Sequence, residues 1–409
     1  MIILTYIVSL IGICDAYITF GPTRHAQSPI FRQVQSSTQR IQGVSFGSSS
    51  AHLKLSASSL DIDRSVTTIP DTSTPLSSRT FAGQIEQALL QRFKPSSISR
   101  ILQSWRLLDK DYEHREFVGN QQPLPATDPS TSRCYQHAPS FVPGLKAVAW
   151  WDNVNEFPWA TSLSKSHKAI RDEFLSVISN PEKLQEGSNI WAGALTTDAA
   201  SYGEGWKTLV LLNRGQWDEA NANIFPVTSR AIHESGIPAA EAFFASMKPH
   251  TSIKPHSDFT NFVLTSHLPL VIPENGNNKC RLSVGDETRQ WLEGNVMMFD
   301  TSIYHDAVNE SDEMRYILMF RVWHPDLTKE EREALQFIYD CLEIPELLSD
   351  DPGTVFMAEQ RARIAREFPL NESVNAGGGG GGFGLAGSKG KKGKDKRKGK
   401  KEGGKGFGL

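Results

Sequence analysis

The chain predicts a mainly β domain, an antiparallel sandwich or barrel with flanking α-helices. Three observations predict it. Short apolar runs at 241–247, 262–272, 279–284, 288–292, 295–299 and 316–323 succeed one another between turns, without helical periodicity among them. Gly285-Asp286 separates two of these runs as a tight hairpin turn requires. Apolar residues at helical spacing occur only before and after the block.

The 409-residue chain opens with MIILTYIVSLIGICDA at 1–16, a signal-peptide-like segment. It is shorter than the ~18 apolar residues of a spanning helix, and no later segment reaches that length. Cys14 and Ala16 stand as small residues before a cleavage point at Tyr17, although basic residues are missing from the start. Residues 17–80 look like a transit peptide or disordered region, because 17–60 hold no Asp or Glu but contain Arg24, Arg32, Arg40, Lys54 and ten serines. Together they resemble the two-part leader of algae with complex plastids, which implies delivery to the plastid. An ordinary secretory signal before a Ser-rich linker would lead instead to the ER lumen and secretory pathway.

Residues 81–144 read as a helical segment followed by a loop. Ile85, Ala88, Leu89 and Phe93 recur at helical spacing within 83–108, and Pro, Ser, Thr and Asp crowd 119–144. The main domain is expected over 145–330. It begins with a strand at 145–151, a helix at 164–178 that aligns Ile170, Phe174 and Ile178, a strand at 206–212, and a helix at 225–235 that stops at Gly236. Residues 331–370 are expected to form a C-terminal helical region, with helices over 329–348 and 355–368. Residues 371–409 form a Gly/Lys-rich tail that cannot bury a core.

Charge and cysteines narrow the class. The net charge is −3, but residues 388–405 alone carry +8, which leaves a mildly acidic body of about −11. The tail is either simply solvated or makes weak contact with nucleic acid or an anionic surface. After the leader, Cys134, Cys280 and Cys341 remain, with neither zinc-ligand spacing nor a disulfide framework. Asn309-Glu310-Ser311 and Asn371-Glu372-Ser373 match the glycosylation acceptor pattern.

The chemistry rests on His256, Asp258, His305 and Arg315. In an extended segment His256 and Asp258 face the same side, and His305 arrives from elsewhere. Two imidazoles and one carboxylate suit Fe(II) and leave it open to a co-substrate and O2. Arg315 opens a strand that places Arg315, Ile317, Met319 and Arg321 on one face. An inward arginine needs an anion: the carboxylate of 2-oxoglutarate, or an internal acidic side chain. His267 shares a strand face with Val263, Thr265 and Val271, and serves either that co-substrate or the core.

These residues and their surroundings resemble the aspartyl/asparaginyl β-hydroxylase family over about 145–330. The densest parts are I-K-P-H-S-D-F-T-N at 253–261, H-L-P-L-V-I-P at 267–273, W-L-E-G-N-V-M-M-F-D at 291–300, Y-H-D at 304–306 and R-Y-I-L-M-F-R-V-W-H-P-D-L at 315–327. The resemblance implies a double-stranded β-helix (jelly-roll, cupin-like) that binds Fe(II) and 2-oxoglutarate. It makes His256 and His305 iron ligands and makes His267 and Arg315 co-substrate contacts. Asp258 stands where the animal peptide hydroxylases carry glycine, which makes the site similar to a bacterial branch that hydroxylates a lipid A acyl chain. Thr265 and Ala245 replace an arginine and a serine that contact 2-oxoglutarate in the animal enzymes, and Ser246 is the nearest substitute. The expected activity is hydroxylation of an aspartyl or asparaginyl residue in a protein. A lipid acyl chain, a small metabolite, or a non-catalytic metal-binding sensor barrel are the alternatives.

Overall fold

The computed structural model describes residues 68–119, 134–187, 191–193, 199–273, 277 and 279–370. The leader, most of the transit-like region, the acceptor at Asn371 and the basic tail lie outside the described residues.

Two helices come first. Helix α1 (Phe81–Arg92) starts where the Thr80 hydroxyl accepts the Gly83 N–H, and α2 (Ser99–Asp109) follows a short 3-10 turn. Strands β1 (His114–Phe117) and β2 (Tyr135–Ala138) pair antiparallel. Both are polar, and so only a loop was legible there. The expected strand at 145–151 does not form: Trp150 makes a single bridge to Phe299, and the Trp151 N–H donates to the Met298 carbonyl. Its apolar residues cover the sheet edge without joining a ladder.

Helix α3 (Pro158–Ile178) has proline at its first turn, where no N–H partner is needed. Short helices α4 (Pro181–Gln185) and α5 (Ala199–Tyr202) precede β3 (Trp206–Asn213) and β4 (Gln216–Trp217). Helix α6 (Glu219–Ile224) leads to α7 (Pro226–Ser235), which ends at Gly236 in the left-handed conformation (φ 66°). The strand block comprises β5 (Ala239–Met247), β6 (Thr251–His256), β7 (Val263–Val271), β8 (Cys280–Val284), β9 (Glu287–Gln290), β10 (Met297–Phe299), β11 (His305–Asn309) and β12 (Arg315–Trp323). Gly285, at φ 59°, makes the two-residue turn between β8 and β9. Helix α8 (Lys329–Glu343) begins with a Thr328–Glu331 capping box, and α9 (Pro352–Arg366) with Asp351.

Every pairing among the described strands is antiparallel. Six strands form one sheet in the order β10-β7-β12-β5-β3-β4, and four form a second in the order β6-β11-β8-β9. The inner faces meet through Phe243, Met247, Ile253, Leu282, Ile317 and Met319. This is the expected jelly-roll. The outer face of the six-stranded sheet carries Leu209, Phe244, Leu264 and Phe320, which pack on Ile170 and Phe174 of α3. Covering on both faces explains why β5 and β7 read as nearly continuous apolar runs instead of alternating. Helices α1, α2 and α8 form a third core through Leu89, Trp105 and Ile338. No described helix is long and apolar enough to cross a membrane.

Asn309 is fully buried. Its Nδ2 donates to the carbonyls of Met247, Lys248 and Glu313, and its Oδ1 accepts from Ser311. In the folded chain this acceptor pattern is a turn-locking residue and offers no amide for a glycan. Cys134, Cys280 and Cys341 are buried thiols that form no disulfide among the described residues.

Candidate metal centre

The β6–β11 ladder closes the gap in sequence between the two histidines. His305 stands directly opposite His256, with ring centroids 4.3 Å apart, and a register shift follows between His305 and Ala307. Asp258 lies two residues past the end of β6. Its backbone N–H donates to the Thr301 carbonyl at 2.7 Å, which turns the carboxylate inward. One donor atom from each of His256, Asp258 and His305 falls within 4.8 Å of the others.

The histidine tautomers suit a metal. His256 Nδ1 lies 2.8 Å from the Lys254 carbonyl and His305 Nδ1 3.0 Å from the Ile303 carbonyl. A carbonyl only accepts, so both Nδ1 atoms carry a proton, and the Nε2 atoms, that of His256 2.8 Å from the Tyr202 hydroxyl, are the ones turned toward the donor set. Burial, with His256 alongside, pushes His305 down to about 4, so its ring is neutral at physiological pH. Burial would raise the Asp258 carboxyl, but Arg321, His305 and His256 hold it down to about 2. The donor set is therefore a neutral His305 imidazole, the His256 imidazole and one ionised carboxylate.

These residues border a cavity of about 420 Å³, mouth included. Arg315 and His267 line it beside Thr265, Trp291, Ile317 and Met319. Arg315 is 1% exposed; its Nη2 meets only the Met247 sulfur at 3.3 Å, while Nε and Nη1 have no partner. Its guanidinium stacks over the Trp291 ring at 4.6 Å, and burial pulls it down to about 10. Trp291 Nε1 donates to His267 Nδ1 at 3.0 Å, so the neutral His267 ring carries its proton on Nε2, a buried donor without a partner. Burial, then Arg315 and His305, keep His267 well below its ordinary value. Three orphaned N–H donors in one cavity wall fit an incoming carboxylate.

Not every expected residue reaches the cavity. Ser246 lies on the opposite face of β5, toward the helices, where its hydroxyl donates to the Lys207 carbonyl at 3.3 Å. Strand alternation separates it from Ala245, which packs inward. The internal ion pair weighed for Arg315 forms instead at Arg321, whose Nη1 meets Asp258 Oδ2 and the hydroxyls of Thr265 and Thr301, the latter two at 2.9 Å.

Tyr202 was not legible as a site residue. Its hydroxyl lies 2.8 Å from His256 Nε2 and 3.3 Å from Asp258 Oδ1. It comes from a one-turn helix between the expected helix at 164–178 and the expected strand at 206–212, and no motif marks it. Trp291 lay within the quoted family residues, but its role as the partner of both Arg315 and His267 depends on long-range packing.

Among solved structures the chain is similar to a Cupin_2 domain of an XRE family transcriptional regulator from Enterobacter cloacae. The TM-score is 0.21 at 12% identity, covering 29% of this chain and 98% of that one. It is also similar to a predicted oxalate decarboxylase from Thermotoga maritima, with a TM-score of 0.23 at 13% identity, covering 34% and 96%. In sequence, it is 32% identical to mouse aspartyl/asparaginyl beta-hydroxylase over 205 residues, 48% of this chain and 26% of that protein; the human protein gives 31%, 48% and 25%. An ornithine lipid ester-linked acyl 2-hydroxylase from Rhizobium tropici is 32% identical over 190 residues, 42% of this chain and 66% of that one. The chain thus spans about a quarter of the length of the two mammalian relatives. The aspartyl/asparaginyl beta-hydroxylase pattern itself matches residues 164–325, which contain His256, Asp258, His267, His305 and Arg315. Through those residues the chain belongs to the aspartyl/asparaginyl beta-hydroxylase family.

Proposed function

We propose that the chain is an Fe(II)- and 2-oxoglutarate-dependent hydroxylase. One observation carries the reading: a His-Asp-His donor set shares its cavity with a buried guanidinium that has unpartnered N–H groups. Three protein ligands on Fe(II) leave room for a two-oxygen co-substrate and O2. With these bound, the group supplies the oxidising power to hydroxylate an unactivated C–H bond.

The chain supplies geometry and electrostatics. His256 and His305 present Nε2 lone pairs fixed by backbone carbonyls. Arg315 and the His267 Nε2–H hold the distal carboxylate of 2-oxoglutarate, with Trp291 fixing the orientation of both. Leu282, Ile317 and Met319 keep the cavity wall dry.

The substrate is an aspartyl or asparaginyl residue of a protein, in line with the family. Asp258 favours a second reading, a lipid acyl chain or small metabolite, because it sets the site apart from the animal peptide hydroxylases. The leader, on this reading, delivers the enzyme to a plastid, and the tail adds weak contact with an anionic surface.

The test is succinate formation after anaerobic loading with Fe(II) and 2-oxoglutarate followed by exposure to O2. Mass spectrometry for a +16 Da product, on Asp- and Asn-containing peptides and on acyl lipids in parallel, assigns the substrate. Turnover no higher than that of His256→Ala would leave a metal-binding barrel without catalysis.

A further inference from the structure

Arg321 has no role in the reading above, yet it makes the closest contact to the donor set. The residue is 4% exposed, and Nη1 holds Asp258 Oδ2 while it also reaches Thr265 Oγ1 and Thr301 Oγ1. Both anchors are themselves fixed. Thr265 faces Arg321 across the β7–β12 ladder, and Thr301 accepts the Asp258 backbone N–H through its carbonyl. A register shift immediately after Arg321, in its pairing with β5, redirects the strand at this point. The other carboxylate oxygen, Oδ1, lies 3.7 Å from His256 Nε2 and points into the donor set.

We propose that Arg321 is a positioning residue for the metal: it holds Asp258 Oδ2, so that Oδ1 alone faces the ion, and it offsets part of the carboxylate charge. The inference rests on the metal reading of His256, Asp258 and His305. Two effects follow, and they oppose one another. The restraint fixes the carboxylate in a one-oxygen mode. The guanidinium also places a positive charge next to a site for a dication, which weakens metal affinity. The carboxylate is buried and already desolvated, so the charge effect is the larger. Arg321 thus trades affinity for an open coordination position, which a two-oxygen carboxylate would fill.

The experiment titrates Co(II) into the metal-free full chain and follows its visible absorption and affinity, in the wild type, Arg321→Met, Arg321→Lys, Asp258→Ala and the double variant Asp258→Ala/Arg321→Met. Expected results are at least tenfold tighter Co(II) in Arg321→Met, with the weaker absorption of a higher-coordinate ion. Arg321→Lys stays within about threefold of the wild type, with its spectrum retained. Asp258→Ala leaves Arg321 facing the ion alone and loses at least 100-fold. The double variant recovers at least tenfold of that loss. If Arg321→Met should fail to fold, the comparison of Asp258→Ala with the double variant still decides, because neither leaves a buried carboxylate unpaired. Unchanged affinity and spectrum in Arg321→Met, or a double variant no better than Asp258→Ala, overturns the inference while the metal site stands. A wild type that binds no Co(II) overturns both.

Discussion

Replacing Arg315 with methionine should make the ligand-free protein more stable and the co-substrate weaker, both from the same missing partner. Burial lowers Arg315 from its ordinary value to about 10, with only the Cys280 thiol acting the other way and no carboxylate beside it. At 1.36 kcal/mol per unit, keeping that guanidinium charged costs the fold about 3 kcal/mol. The stack on Trp291 at 4.6 Å returns roughly 1 kcal/mol. Methionine has similar length and no polar atoms, so the variant should gain about 2 kcal/mol in urea unfolding without ligands. Two charge-assisted hydrogen bonds to a carboxylate are worth about 1.5–3 kcal/mol each. Removing them should weaken 2-oxoglutarate at least ~100-fold, measured by titration calorimetry with Mn(II) in place of Fe(II). A variant less stable than the wild type, with affinity unchanged, would refute the reasoning, because Arg315 would then be a satisfied structural residue.

Trp291→Phe keeps the ring under Arg315 but removes the donor that sets the His267 tautomer; 2-oxoglutarate should weaken by about fivefold to tenfold, one hydrogen bond's worth, and unchanged calorimetry would exclude that role. Burial raises Asp300 from 3.8 to about 6, so its ionisation costs stability above that pH, and the cost disappears as pH falls below its unfolded value. Asp300→Asn, which retains an acceptor for the Ser302 N–H and hydroxyl, should gain up to about 3 kcal/mol at pH 8 and nothing at pH 4; equal urea midpoint shifts at both pH values would contradict this. Tyr202→Phe removes a hydroxyl from His256 Nε2 and Asp258 Oδ1, and Mn(II) should bind about fivefold tighter because no competing hydrogen bond must break; weaker binding would show that the phenol supports the ion.

How much was legible follows from where the information sits. Strands β5, β7 and β12 were readable within a few residues, because burial on both faces makes them apolar throughout. Strand β11, the short His305–Asn309 run, was not marked as one, since it is defined by its neighbours β6 and β8 and not by its own composition. The segment 145–151 misled for the opposite reason: Trp150 and Trp151 are apolar because they cover an edge. The clustering of His256, Asp258 and His305 was legible because their spacing is chemical. Ser246 was misplaced by one residue, which in a strand reverses the face. Asn309 matched a surface pattern and proved fully buried, since a three-residue pattern carries no information about burial.

Arg315 and Arg321 show what sequence alone could and could not settle. Alternation places both on the inner face of β12, and a buried guanidinium without an anion is costly. The sequence therefore demands an anion for each without saying where either comes from. The structure divides them: Arg321 finds Asp258, and Arg315 finds a thioether sulfur and an indole face. Without ligands, Arg315 in the cavity wall and Arg321 behind Asp258 thus set two guanidiniums against the one carboxylate of the donor set. Adding a dication makes the excess of positive charge larger, and a dianion such as 2-oxoglutarate reduces it again. Electrostatics then favours the dianion more strongly once the metal is present, and the coupling is reciprocal. The same count argues against a cationic molecule as the ligand near Arg315.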